Sequence, residues 1–157
     1  MKIKKLLIVA TSLTLLINSA QAAPAPGFSY DLFGTWGTKD REDFDDGKAG
    51  VGVGVNYFFT EHFGIGADTY VEEIDLPNHL DLSVIGRLPL DSVPVTPYAF
   101  VGVGRQWTEV SQWSTHIGIG IEYLWNGKTG IFFDVREVFA DKTKDFAVFR
   151  LGLRCTY

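Results

Sequence analysis

The final residues of the chain, Phe149-Arg150-Leu151-Gly152-Leu153-Arg154-Cys155-Thr156-Tyr157, alternate apolar and polar side chains. Successive side chains of an extended strand point to opposite faces. Phe149, Leu151, Leu153, Cys155 and Tyr157 therefore share one face, and Arg150, Gly152, Arg154 and Thr156 share the other. A soluble sheet rarely sets two arginines behind so apolar a face. A strand between lipid and a polar lumen does. This one segment points to a membrane-spanning β-barrel and puts membrane architecture ahead of catalysis.

The same period of two recurs along the chain, and no long segment has a helical period. One-sided rows run through Phe28–Trp36, Val51–Tyr57, Phe63–Val71, Leu80–Leu88, Tyr98–Trp107, Ile117–Tyr123, Ile131–Val135 and the terminal segment. Eight strands is an even number, and each is long enough to cross a bilayer at a tilt. The expected fold is all-β, an eight-stranded antiparallel up-and-down transmembrane β-barrel. Compact connections are expected at Phe59–His62, Pro89–Thr96 and Leu124–Thr129. More charged and mostly longer ones are expected at Thr38–Lys48, Glu72–His79, Gln106–Ser114 and Val138–Asp145, with a modest length contrast because the second turn is about as long as some loops. With both chain ends in the periplasm, the second set forms four extracellular loops.

The N-terminus fits export. Three lysines within Met1–Lys5 precede the apolar run Leu6–Ile17, and Ala20-Gln21-Ala22 offers a cleavage site. That run falls short of the roughly 20 apolar residues of a spanning helix. Residues 1–22 read as a secretory signal peptide and 23–157 as one outer-membrane β-barrel domain. The net charge of −5 includes those three lysines, so the exported part is more acidic still and ill suited to nucleic acid. Cys155, the sole cysteine, has no partner for an internal disulfide and reads as a small apolar residue facing lipid.

Aromatic residues fall where two interfacial girdles would lie. Tyr57, Phe58, Phe63, Tyr98, Tyr123, Trp125 and Tyr157 mark the periplasmic ends. Trp36, Tyr70, Trp107, Trp113, Phe139 and Phe146 mark the outer ends.

An eight-stranded barrel has a lumen just wide enough for side chains to fill. The inward rows carry Asp31, Asn56, Asp68, Asp81, Arg87, Glu122, Asp134, Arg136, Arg150 and Arg154. Arginine stays charged and binds carboxylates through paired hydrogen bonds. Unpaired buried charge costs several kcal/mol per ion, so a lumen ion-pair network of these acids and arginines is expected. Glycines on the same rows, such as Gly52, Gly104, Gly118 and Gly152, are expected to leave room for the long side chains.

Catalytic and cofactor signals are weak. Ser111, Ser114 and His116 lie close in sequence near an outer strand end, where a rim hydrolase would place them, but no Gly-x-Ser-x-Gly elbow is present. They read as polar rim residues, with His62 and His79 in other connections. Asp43, Asp45 and Asp46 sit in the most charged stretch but lack the spacing of a calcium loop. Asp46-Gly47 there is a turn signal. The glycine-rich runs at 50–54 and 102–104 lie within strands and precede no helix, so they are not nucleotide loops. No cofactor or metal is expected, and no catalytic residue is assigned.

The chain resembles the small outer-membrane β-barrel proteins of Gram-negative bacteria, the OmpA/OmpX-like, porin-like superfamily. The resemblance is carried by the signal peptide, the run Val-Gly-Val-Gly-Val-Asn-Tyr-Phe-Phe-Thr at 51–60, Pro-Tyr-Ala-Phe-Val-Gly-Val-Gly at 97–104, and the terminal aromatic strand. It implies that Phe149, Leu151, Leu153, Cys155 and Tyr157 form a barrel-assembly signal, with the assembly machinery as a transient partner. It implies residence in the cell outer membrane among lipid and lipopolysaccharide, and a structural, non-enzymatic role in envelope integrity and surface contact. The partner of the extracellular loops is left open. A small channel, a rim lipid-modifying enzyme and a soluble lipocalin-like carrier are the alternatives. The carrier would turn the apolar rows inward and the charged rows outward.

Overall fold

A computed structural model describes residues 25–38, 47–72, 78–90, 93–107 and 111–157. The expected signal peptide and most of the first outer loop, with Asp43, Asp45 and Asp46, lie outside these residues. Eight strands follow one another: β1 (Gly27–Gly37), β2 (Lys48–Phe58), β3 (Phe63–Glu72), β4 (His79–Arg87), β5 (Val95–Trp107), β6 (Ser111–Leu124), β7 (Thr129–Ala140) and β8 (Phe146–Thr156). Each pairs antiparallel with its neighbours in sequence order. β1 then pairs with β8, from Ser29↔Thr156 to Gly37↔Val148, and closes the barrel. The fold is an eight-stranded antiparallel up-and-down barrel.

Closure leaves every residue pointing either out or in, and the chemistry divides by that parity. Leu32, Val51, Ile119 and Leu151 are 60–64% exposed, whereas Asp134 and Glu122 are 0% and Arg136 is 1% exposed. A soluble carrier requires the reverse. An outer wall this apolar is stable only where hydrocarbon replaces water, because burial of such surface contributes roughly 25 cal/mol per Å².

The inward rows also carry aromatic rings whose nearness to strand ends suggests the girdles instead. Phe58, Tyr70 and Tyr98, expected in the girdles, are buried inside. Phe58, Ile85, Tyr98 and Phe100 form one apolar cluster, and Phe33, Tyr70 and Phe132 another. Their parity explains the difference: Phe58 follows Asn56 by two positions, and Tyr70 follows Asp68 by two. Trp36, Tyr57, Phe63, Trp107, Trp113, Trp125 and Tyr157 do stand on the outer wall or rim.

The inward glycines make room chiefly for these rings. Gly52 and Gly152 are the register partners of Phe33, Gly118 of Phe100, Gly120 of Tyr98 and Gly64 of Phe58. A Cβ on Gly52 would meet the Phe33 ring at 2.5 Å, and one on Gly152 would meet Phe132 at 2.8 Å. Each ring lies across bare backbone on the next strand.

The connections depart from expectation too. Only residues 108–110 separate β5 from β6, so Gln106, Trp107, Ser111, Gln112, Trp113 and Ser114 belong to strands. His79 opens β4 rather than sitting in a loop, and His116 lies within β6. The modest length contrast is as expected, since residues 88–94 outnumber 108–110 and 141–145.

Candidate functional site: the lumen

Three arginines organise the interior. Arg154 and Asp31 are register partners across the closing seam, and Arg154 Nε and Nη2 each donate to an Asp31 oxygen at 2.7 Å. Asn56 adds a third donor to Asp31 at 3.0 Å. The remaining Arg154 nitrogen, Nη1, reaches Glu122 Oε2 at 3.3 Å. Arg150 and Asp134 face each other across β7 and β8 and form a second fork, at 2.7 and 2.8 Å. Arg150 Nη1 also donates to Asp68 Oδ2 at 3.0 Å. Arg136 bridges the adjacent carboxylates of β3 and β4, with Nη2 on Asp68 at 3.0 Å and Nη1 on Asp81 at 2.5 Å. Asp68 and Asp81 are register partners, so two like charges side by side are held by one guanidinium.

Rings complete the packing. The Arg150 guanidinium lies 5.0 Å from the Phe33 centroid, and that of Arg154 lies 4.8 Å from Phe132. Tyr98 donates its hydroxyl to Asp134 Oδ2 at 2.6 Å. Fork-shaped, charge-assisted bonds beside aromatic rings offset the desolvation of arginine.

Arg87 is the exception among the nine residues read as a lumen network. It is buried inside with the rest, and its guanidinium sits 3.3 Å from the Phe58 centroid. None of its nitrogens has a hydrogen-bond partner among the described residues. It belongs to the packed interior but not to the bonded set.

The residues considered for hydrolysis are rearranged. The serine beside His116 is Ser83, whose Oγ is 2.9 Å from His116 Nε2, and not Ser111 or Ser114. Asp81 Oδ1 lies 3.7 Å from His116 Nδ1. This serine–histidine–aspartate order is inside the barrel, with His116 1% exposed, and Asp81 is already bonded to Arg136. Nucleophilic attack needs a substrate within reach of the serine, and Ser83 lies on an inward row, 8% exposed. Ser114 is likewise buried and inward, so neither it nor His116 is a rim residue. His79 is buried and stacks on Tyr70, with centroids 4.2 Å apart. His62 alone of the three histidines is exposed, in the turn between β2 and β3.

No group of three or more His, Cys, Asp or Glu side chains with metal-binding geometry occurs among the described residues. The glycine-rich runs at 50–54 and 102–104 lie in β2 and β5. An apolar groove of about 690 Å³ lies on the outer wall of β4–β7, between Leu88, Ala99, Ile119 and Phe133.

No protein-family model and no curated protein sequence matches the chain. Solved structures do. Neisserial surface protein A is similar at 11% identity with a TM-score of 0.66, over 83% of this chain and 97% of that one. The N-terminal β-barrel domain of Pseudomonas aeruginosa OprF is similar at 13% identity and a TM-score of 0.59, over 82% and 98%. A de novo designed transmembrane β-barrel matches at 12% identity and a TM-score of 0.61, over 87% and 100%. Natural and designed barrels match about equally well, so the likeness carries the fold of a small transmembrane barrel and no particular activity.

Proposed function

We propose that this protein is an integral outer-membrane barrel whose work is structural, supporting envelope integrity and presenting four loops at the cell surface. The observation that carries this reading is the division by parity, with apolar side chains on the outer wall and paired charges inside. The arginine–carboxylate network acts as a plug that stiffens the barrel rather than lining a conduit. Lipid and lipopolysaccharide surround the wall, and the assembly machinery engages the terminal strand that ends in Tyr157. Residues 1–22 direct export. The protein is not catalytic in this reading, since the histidine that neighbours a serine and an acid lies inside the packed interior.

Cell fractionation tests the location, with migration on gels before and after heating as the test of folding. Recovery in the outer-membrane fraction with heat-modifiable mobility is expected. Recovery in the soluble periplasmic fraction would overturn the reading. Planar-bilayer recording tests the plug: the expected trace is at baseline, and discrete sustained openings would favour a channel.

A further inference from the structure

Gln106 and Gln112 are the outermost inward residues of β5 and β6, and they face each other as register partners. A glutamine at the mouth of a barrel can be served by water. These two are instead 3% and 2% exposed. The Gln112 carboxamide is fully engaged. Its Nε2 donates to Gln106 Oε1 at 2.9 Å and to Thr143 Oγ1 at 2.8 Å. Its Oε1 accepts the Lys142 backbone N–H at 2.9 Å. The bonds to Lys142 and Thr143 seize residues 141–145, the connection between β7 and β8. Residues 141–144 are exposed, so this segment lies between Gln112 and bulk water.

At the base of the connection the bonds are longer. Ala140 N–H reaches Asp145 Oδ1 at 3.3 Å, and Asp141 N–H reaches the Trp113 backbone oxygen at 3.3 Å. A backbone donor bonds best at about 2.9–3.0 Å, so the tighter grip is at the middle of the segment. A short connection held at its centre and looser at its base swings as a unit once the centre is freed. β8 beyond it stays fixed, because Ala147 N–H donates to Thr38 Oγ1 at 2.9 Å. Below Gln112 the inward column of β6 runs through Ser114 to His116, whose Nε2 meets Ser83 Oγ at 2.9 Å. Ser114 and His116 are 3% and 1% exposed.

We propose that residues 141–145 form a lid over the β6 side of the outer mouth, and that Gln112 is its latch. Shut, the lid keeps water and solutes from the column that leads to His116. Swung out, it exposes Ser114 first. The inference goes beyond the structural role proposed above and holds wherever the barrel resides, since every bond it uses lies within the chain.

The test is amide exchange and thiol labelling on the folded barrel in lipid nanodiscs. Exchange at the Lys142 amide reads the latch, and the Ala147 amide is the internal reference. Gln112→Ala is expected to speed exchange at Lys142 on the order of tenfold, because each hydrogen bond lost weakens the closed state severalfold. Ala147 should not change. Access to the column is read by Ser114→Cys in a Cys155→Ala background, with a water-soluble cationic thiol reagent as probe. Labelling is expected to be slow with Gln112 in place and to accelerate in step with exchange in Gln112→Ala. Thr143→Val removes one latch bond from the loop side and should give a smaller acceleration of both; it stands in if Gln112→Ala fails to fold. An unprotected Lys142 amide in the parent protein would overturn the latch. Unchanged exchange in Gln112→Ala, or in Thr143→Val where that stands in, would do the same. Equal acceleration at Lys142 and Ala147 would too, since that is loosening of the whole barrel. Faster exchange with unchanged labelling would overturn the lid.

Discussion

Tyr98 on β5 reaches Asp134 on β7 by passing over Gly120 on the strand between them. Gly120 is the register partner of both residues, and the hydroxyl-to-carboxylate bond is 2.6 Å. Asp134 is the same carboxylate that Arg150 grips with a fork. The lumen is thus tied laterally through a glycine that presents no side chain, so a change at Gly120 acts on the ion pairs beyond it.

Gly120→Val should therefore destabilise the barrel. A Cβ at this position would stand 2.5 Å from Tyr98 Cζ and 2.6 Å from Asp134 Cβ. Overpacking of this kind costs about 1–3 kcal/mol. Gly86→Ala is the control, because a Cβ there meets nothing within 4 Å; its effect should fall within about 0.5 kcal/mol. Urea unfolding in lipid vesicles, followed by tryptophan fluorescence, compares the two. Equal midpoints would remove the lateral tie.

Arg154→Leu and Arg87→Leu should differ sharply, although both delete a buried arginine. Loss of Arg154 leaves Asp31 and Glu122 without their cation, a cost of about 3–5 kcal/mol. Arg87 gives up its contact with the Phe58 ring, worth about 1–2 kcal/mol, and with it the desolvation of a cation that no described residue hydrogen-bonds, so the net cost is smaller still. The temperature at which the folded gel band disappears should drop much further for Arg154→Leu. The opposite order would show that Arg87 has an acceptor in the lumen.

Ile119→Arg tests the solvent of the outer wall. Ile119 is 64% exposed and pairs with Ala99 and Val135 in the middle of the apolar rows. Against lipid the charge should cost about 2–4 kcal/mol. Against water it should cost almost nothing. Folding yield into vesicles separates these outcomes, and an undiminished yield contradicts a hydrocarbon environment.

His116→Ala should change stability and leave chemistry untouched. Removing the ring takes away the partner of the Ser83 hydroxyl at 2.9 Å, and a buried polar group left unpaired costs about 1–3 kcal/mol. Lipid-ester hydrolysis should stand at background in both the parent protein and the variant. Measurable turnover that vanishes with His116 would instead establish an enzyme.

The strand number, the closure and the facing of each row were legible because a period of two maps directly onto in and out once one row is seen to hold charge. Arg150, Arg154 and Asp134 follow from that parity. Tyr98, Phe58 and Tyr70 sit near strand ends, which suggests interfacial rings, although their parity with Phe100, Asn56 and Asp68 puts them inside. The partner choice of Arg136, which spans from β7 to β3 and β4, depends on barrel width and stagger, and neither is written in any local window. Arg87 shows the same limit from the other side: parity places it in the lumen, but a bond needs an acceptor at the right height. Ser83 is not legible as the neighbour of His116, because 33 residues separate them and only the β4–β5 and β5–β6 registers set both beside Gly102.

The seam between β1 and β8 governs how such a chain can be made. Until the eleven residues of β8 arrive, β1 carries an unsatisfied row of amides and carbonyls along its free edge. Left alone in water, that edge would recruit any extended segment it met, including one from another copy. The hazard ends only when the last strand reaches the first, so closure of the whole ring, and not formation of any single hairpin, retires the exposed edge.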